Sequence, residues 1–179
     1  MVAIYVVFGI SVAFLANLSL GHAPVYNVVK TGDADALSAL LKTGADPDAP
    51  GTPVLLPRAV GWLLRAETPL HAASGRGDEK MVKLLLKAGA TADARSTAGP
   101  FGLLAANTSL YVASESGHEK VVESLLKAGA TADAGLTFGP FGLLWAETPL
   151  STASAKGHKK IVKLLKAAGA TGSNPKDEI

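Results

Sequence analysis

The fold is decided by the segment Thr68-Pro69-Leu70-His71-Ala72-Ala73-Ser74-Gly75-Arg76-Gly77, because near-copies of it begin at Thr108 and Thr148. The three copies are spaced 40 residues apart, as their numbers show. Each is followed by the same apolar and basic run ending in Gly-Ala, at 81–90, 121–130 and 161–170. A period of this size predicts a solenoid of stacked units, because no single unit buries its apolar face alone.

Each unit has the residue pattern of two short helices. Thr68 is a preferred helix-capping residue type, and Pro69 suits the first helical position because its missing N–H has no partner there. Gly77 is suited to ending this first helix. The second helix carries a broad apolar face, formed in the first copy by Met81, Val82, Leu84, Leu85 and Leu86. The pattern predicts an all-α fold with projecting loops, in which Leu85 and Leu125 are core positions.

The motif Thr-Pro-Leu-His-Ala-Ala, followed by Gly and by Val-x-x-Leu-Leu-x-x-Gly-Ala, resembles the ankyrin repeat. The match is close in 68–93, 108–133 and 148–170, and a weaker copy that lacks the Thr-Pro-Leu-His opening runs from Val25 to Asp46. The resemblance implies an ankyrin-type helix-turn-helix solenoid and a non-enzymatic interaction module. We place this domain at 23–172, after a hydrophobic segment at 1–22 and before a polar tail at 173–179. Its repeats are then about 23–67, 68–107, 108–147 and 148–172.

The connections between repeats are longer than the family pattern. The spacing of 40 exceeds the family's roughly 33 residues, and the excess follows Asp93 and Asp133. In ankyrin-like stacks this segment is a hairpin or finger that projects to one side, and the connection at 50–65 is longer still. Loops are normally polar, yet these are apolar and aromatic. They supply the candidate partner-binding residues Trp62, Leu63, Leu64, Phe101, Leu103, Leu104, Phe138, Phe141, Leu143, Leu144 and Trp145.

Two interpretations of these fingers stay open. The Leu-Leu pair recurs in register, so the leucines could fold back and pack on one another. The aromatic residues could instead form an exposed apolar ridge, which is typical of a partner or membrane contact. Both hold together if the leucines point inward and the aromatics outward.

The N-terminal residues 1–29 contain no charged side chain, and most of residues 1–20 are apolar. A retained membrane anchor needs about 20 apolar residues, which 2–20 supply. A secretory signal peptide would be cleaved near Ser19-Leu20-Gly21, but no basic residue precedes its apolar core. We therefore expect a retained N-terminal hydrophobic helix, with a cleaved signal as the alternative. Either one makes the chain membrane-associated or places it in the secretory or lumenal pathway.

The last residues, Lys176-Asp177-Glu178-Ile179, differ in one position from the Lys-Asp-Glu-Leu address for retention in the endoplasmic reticulum. The receptor-read signal ends in Leu, so we favour a solvated polar tail.

Composition narrows the classes of partner. The formal charge of +2 predicts no general attraction to nucleic acid. The chain has no cysteine, which excludes a disulfide and a thiolate metal site. Lysines concentrate in the last repeat, and we interpret them as a solvated capping face in preference to an anionic-surface patch: Lys156, Lys159, Lys160, Lys163 and Lys166.

The histidines of the repeats invite a metal or catalytic interpretation, which the spacing disfavours. His118 and His158 lie in the Gly-His turns of successive repeats, and stacked helices about 8–10 Å apart cannot bring both to one zinc ion. His71 is expected to bond backbone groups locally. The sequence contains no Gly-rich phosphate loop, serine elbow or paired catalytic carboxylates. We therefore predict no catalytic, metal-binding or cofactor-binding residues and no cofactor.

The leading functional hypothesis is a scaffold tethered to a membrane through residues 2–20 that binds a membrane-associated protein partner. In its more specific form, the chain is an accessory subunit of a larger membrane-protein complex. One alternative is a secreted or lumenal binding protein whose signal is removed. Another is a protein that contacts an apolar ligand or pigment through its aromatic loops.

Overall fold

The computed structural model of the protein describes residues 24–51, 67–98, 105–138 and 145–172. Within these ranges, eight helices form four pairs: α1 (Pro24–Thr31) with α2 (Ala34–Lys42), α3 (Pro69–Arg76) with α4 (Glu79–Lys87), α5 (Ser109–Ser116) with α6 (Glu119–Lys127), and α7 (Pro149–Ala155) with α8 (Lys159–Ala167). The first helices of the pairs contact one another along the stack, and so do the second helices. The predicted helical repeat solenoid is confirmed.

The ends of the helices follow the residues that predict them. The side chain of Thr68 caps α3 by accepting a hydrogen bond from the backbone N–H of His71, over 3.2 Å. Thr108 and Thr148 cap α5 and α7 in the same way. Gly77 ends α3 with a φ of 73°, a left-handed conformation that glycine adopts without steric cost. The repeated Thr residues therefore set where α3, α5 and α7 begin, and the repeated Gly residues set where α3 and α5 end.

The core runs continuously between the two layers of helices. Leu85 and Leu125 are fully buried, which confirms both as core positions, and Leu165 is buried at the same place in α8. The second helices α4, α6 and α8 thus insert an equivalent leucine into the core. Because α6 contacts both α4 and α8, its buried side chains belong to two inter-repeat interfaces at once.

Polar side chains also join each repeat to the next. An aspartate carboxylate of one repeat accepts hydrogen bonds from the backbone N–H and the hydroxyl of a threonine in the following repeat: Asp48 with Thr91, Asp93 with Thr131, and Asp133 with Thr171. The histidines of the Gly-His turns also join repeats, because each ring contacts a backbone carbonyl oxygen of the preceding repeat. The Nε2 atom of His118 lies 3.2 Å from the carbonyl oxygen of Gly75, and that of His158 lies 3.2 Å from the carbonyl oxygen of Glu115. These histidines have a structural role.

The all-α expectation needs correction, because the stems of the second and third hairpins form a four-stranded antiparallel sheet. Its strands lie in the order β1 (Arg95–Ala98), β2 (Ala105–Thr108), β3 (Leu136–Phe138) and β4 (Trp145–Glu147). The physical reason is a match of spacings. Two strands at about 4.8 Å each advance about 10 Å, close to the 8–10 Å between stacked helices. Neighbouring hairpins therefore come within hydrogen-bonding distance, and β2 pairs with β3 across the repeat boundary.

Gly51 and Glu67, on either side of the connection at 52–66, form an isolated antiparallel bridge. The expected N-terminal hydrophobic helix, at 1–22, and the polar tail, at 173–179, lie outside the described residues. Across the four described ranges, every helix is too short or too polar to cross a bilayer.

Candidate partner-binding site

The hairpin sheet has a defined register, which assigns its residues to rows. One row crosses all four strands beside the hairpin tips, where Ala98 pairs with Ala105, Ala105 with Phe138, and Phe138 with Trp145. The next row toward the helices consists of Thr97, Ala106, Thr137 and Ala146. Residues directly opposite each other in a sheet share a face, and successive residues of a strand alternate between faces. The two rows therefore belong to opposite faces of the sheet.

One face of the sheet is turned toward the first helices of the stack. Asn107 lies two residues from Ala105 in β2, and its Oδ1 atom is 2.8 Å from Nε2 of His71 in α3. In β4, Glu147 accepts a 2.9 Å hydrogen bond from the hydroxyl of Tyr111 in α5. We call this side the groove face. Phe138 belongs to it, because it shares a register row with Ala105, two residues from Asn107.

Phe138 is a large apolar side chain left open on the groove face. It is 45% exposed, whereas the other large apolar residues whose side chains the structure describes are buried or half-buried. An exposed aromatic ring on a rigid sheet is the kind of group that a partner desolvates with a large gain in binding energy. Phe138 is thus the described residue best suited to anchor a partner.

The corner between the sheet and the first helices is closed by a series of polar contacts. The hydroxyl of Tyr26 donates to a carboxylate oxygen of Glu67 over 2.7 Å. The other carboxylate oxygen of Glu67 lies 3.0 Å from Nδ1 of His71, whose Nε2 meets Asn107. The first helices α1, α3 and α5 are thereby each bonded to the residue that precedes the capping threonine of the next first helix. The expectation that His71 bonds local backbone is wrong for its ring, because side chains from two hairpin stems occupy both ring nitrogens.

Tyr111 makes the corresponding contact in the next repeat. Burial, and then its hydrogen bond to the Glu147 carboxylate, raise the pKa of the Tyr111 phenol well above its ordinary value of about 10. The hydroxyl therefore keeps its proton at neutral pH and remains the donor to Glu147. These corner contacts fix the orientation of the sheet relative to the helices, and with it the direction of Phe138.

The outer face of the sheet is polar. The guanidinium of Arg95 donates to the carbonyl oxygen of Gly135 over 3.1 Å and lies 3.2 Å from the hydroxyl of Thr137. It also donates to the carbonyl oxygen of Ala106 over 3.3 Å, so it crosses three strands. Thr97 lies in the same row as Thr137. Because the outer face is polar and the groove face carries an exposed aromatic side chain, the groove face is the side of the sheet better suited to bind a partner.

The candidate residues from the sequence fall into two groups. Phe138 is described with its side chain, and Trp145 is placed by its backbone in β4, opposite Phe138. The remaining candidates lie outside the described residues: Trp62, Leu63, Leu64, Phe101, Leu103, Leu104, Phe141, Leu143 and Leu144. Whether those leucines pack on one another and those aromatics form a ridge stays a prediction.

The polar corner is the functional feature that sequence reasoning missed. Its signal was present, because the residue before each capping threonine is polar: Glu67, Asn107 and Glu147. The residue three places after the capping position is likewise an aromatic or imidazole donor in α3 and α5, His71 and Tyr111.

A helical repeat stack with hairpins projecting from one side defines a class of protein–protein interaction modules. The chain belongs to the ankyrin repeat family, since the family model for ankyrin repeats (3 copies) matches residues 26–137. The pair α7 and α8 extends the same stack beyond the matched range. A comparison with curated proteins finds no significant match.

Proposed function

We propose that this protein is a non-enzymatic scaffold that holds a protein partner against the groove face of its hairpin sheet. The observation that carries the proposal is the exposed Phe138, which stands on a sheet whose orientation is fixed by partly buried polar contacts. Pre-oriented aromatic groups bind tightly because little conformational freedom is lost on binding. In the sequence, the segments that connect the paired strands contain further aromatic residues, which would enlarge the apolar contact around Phe138.

The groove face favours an apolar contact over an electrostatic one. The Glu67 and Glu147 carboxylates at its base already accept hydrogen bonds from Tyr26 and Tyr111. Arg95 is held on the outer face by carbonyl oxygens. Binding at the groove face should therefore depend weakly on salt.

The experiment replaces Phe138 and Trp145 by serine and measures co-purification with native partners. Each well-buried aromatic anchor contributes about 2 kcal/mol or more, so each replacement should weaken association about 25-fold or more. Thr97→Val on the outer face is the matched control and should leave association unchanged. Retained association by a serine variant that melts like the wild type would move the site to the first helices of the stack.

We further propose that residues 2–20 hold the scaffold at a membrane, where it acts as an accessory subunit of a larger membrane-protein complex. The support is the charge-free apolar run of sequence, which is long enough to span a bilayer. Extraction of membranes at alkaline pH, followed by measurement of the intact mass, tests this. The full chain should remain in the membrane pellet. A soluble product beginning near His22 would instead establish the alternative, a secreted or lumenal binding protein.

A further inference from the structure

The second helices show which positions of a repeat face the next repeat in the stack. In α4, a Glu79 oxygen lies 3.8 Å from the ammonium of Lys120 in the following repeat, and Val82 is fully buried. In α6, Glu119 lies 3.2 Å from Lys160, and Val122 is fully buried. The face presented to the next repeat therefore combines a carboxylate with a buried valine.

The same positions in α8 form a different surface. Lys159 replaces the glutamate, and Lys166 stands where α4 and α6 have a half-buried leucine. Val162 is only half-buried, and Ser154 of α7 is exposed although its counterparts Ser74 and Ser114 are fully buried. Lys163 lies one helical turn after Lys159 and is exposed beside the groove between α6 and α8. We call Lys159, Val162, Lys163 and Lys166 the end face.

Among the residues that the structure describes, no acidic side chain pairs with the lysines of the end face. The range 148–172 contains five lysines and no aspartate or glutamate. Two of these lysines reach back to the preceding repeat, where Lys156 lies 3.0 Å from Glu115 and Lys160 lies 3.2 Å from Glu119. Within the described ranges, the three lysines of the end face form no ion pair, and their side chains are exposed.

We propose that the end face docks an acidic helical segment of a partner protein. This surface is separate from the groove face and goes beyond the proposed function. The helical shape of the partner segment is inferred from the chain itself, because the corresponding face of each preceding repeat is covered by the helices of the next repeat. The charge argument is that Lys159 reverses the internal pairing, so an incoming helix must supply the carboxylate where Lys120 and Lys160 supply the ammonium.

Other anionic partners fit this surface less well. The range 148–172 contains no arginine and no aromatic residue, the side chains with which proteins stack on and read nucleic acids. Residues 2–20, which we propose hold the chain at a bilayer, precede α1 in the sequence, whereas α8 is the last described helix of the stack. A helix of a partner protein satisfies both the flat helical shape and the charge.

The test uses the full chain in a neutral detergent and a fluorescent, helix-forming peptide of Glu and Ala residues. The peptide with Gln in place of Glu is the ligand control. The end-face variant replaces Lys159, Lys163 and Lys166 by alanine. A variant with the same loss of charge replaces the last lysines of α2, α4 and α6, namely Lys42, Lys87 and Lys127. Binding is measured by fluorescence anisotropy at increasing salt.

The wild type should bind the Glu peptide with an affinity that falls as salt rises, and the Gln peptide much more weakly. The end-face variant should bind about 10-fold more weakly, whereas the charge-matched control and Phe138→Ser should bind like the wild type. Equal loss in both lysine variants would overturn the proposal, because net charge alone would then explain binding. So would binding to vesicles containing phosphatidylserine without binding to the Glu peptide.

Discussion

Leu125→Ala tests the inter-repeat coupling on which the stack depends. The side chain of Leu125 is fully buried in α6, which contacts both α4 and α8. Removing the equivalent of three methylene groups costs about 2.4 kcal/mol at about 0.8 kcal/mol each, before any cavity is counted. Measured costs for such changes are about 2–5 kcal/mol. For a chain of this size, a loss of about 3 kcal/mol lowers the melting temperature by about 6–12 °C.

The comparison is Leu165→Ala, at the same position of α8 and also fully buried. Because α8 has one neighbouring repeat among the described residues and α6 has two, only Leu125→Ala should loosen helices on both sides. Thermal melting followed by circular dichroism measures the stability. Amide hydrogen exchange should rise in both α4 and α8 for Leu125→Ala, and in the last repeat for Leu165→Ala. An unchanged melting temperature for Leu125→Ala would refute the helical register described above.

Two further predictions concern the polar corner and the turns. The raised pKa of Tyr111 means that its contribution to stability is complete below the unfolded value of about 10 and is lost as pH rises above it. Tyr111→Phe should therefore reduce the alkaline loss of unfolding free energy in urea titrations, and an identical pH profile would contradict the burial of this phenol together with its contact to Glu147. Gly77→Ala should destabilise more than Gly89→Ala in the same assay. Both glycines have positive φ, but a Cβ at Gly77 would lie 2.5 Å from His118, whereas at Gly89 it would meet no atom within 4 Å.

The helices and the core could be predicted because their signals are local and repeated. Thr68 and Pro69 open a helix by their own chemistry, and Leu85 is buried because it lies on a strongly apolar helix face. Because the motif is repeated, the same reasoning predicted the helix starts and the core leucine in the other copies, including Leu125.

The sheet and the direction of its faces could not be predicted in this way. Strands of three or four residues, such as Leu136–Phe138, carry no clear alternation. The pairing of Ala105 with Phe138 depends on the distance between repeats, which is a property of the assembled stack. The sequence identified Phe138 as a candidate residue. The face of the sheet to which Phe138 belongs depends on the strand register, which the sequence left open.

The central claim is that the groove face, rather than the outer face, contacts the partner. Adjacent positions of β3 test it directly, because Phe138 belongs to the groove face and Thr137 to the outer face. A photoreactive benzoylphenylalanine introduced at either position reports which face touches the partner in the native complex. We predict that position 138 gives a covalent adduct with the partner and that position 137 gives none. Adducts from position 137 alone, or equal adducts from both positions, would contradict the account.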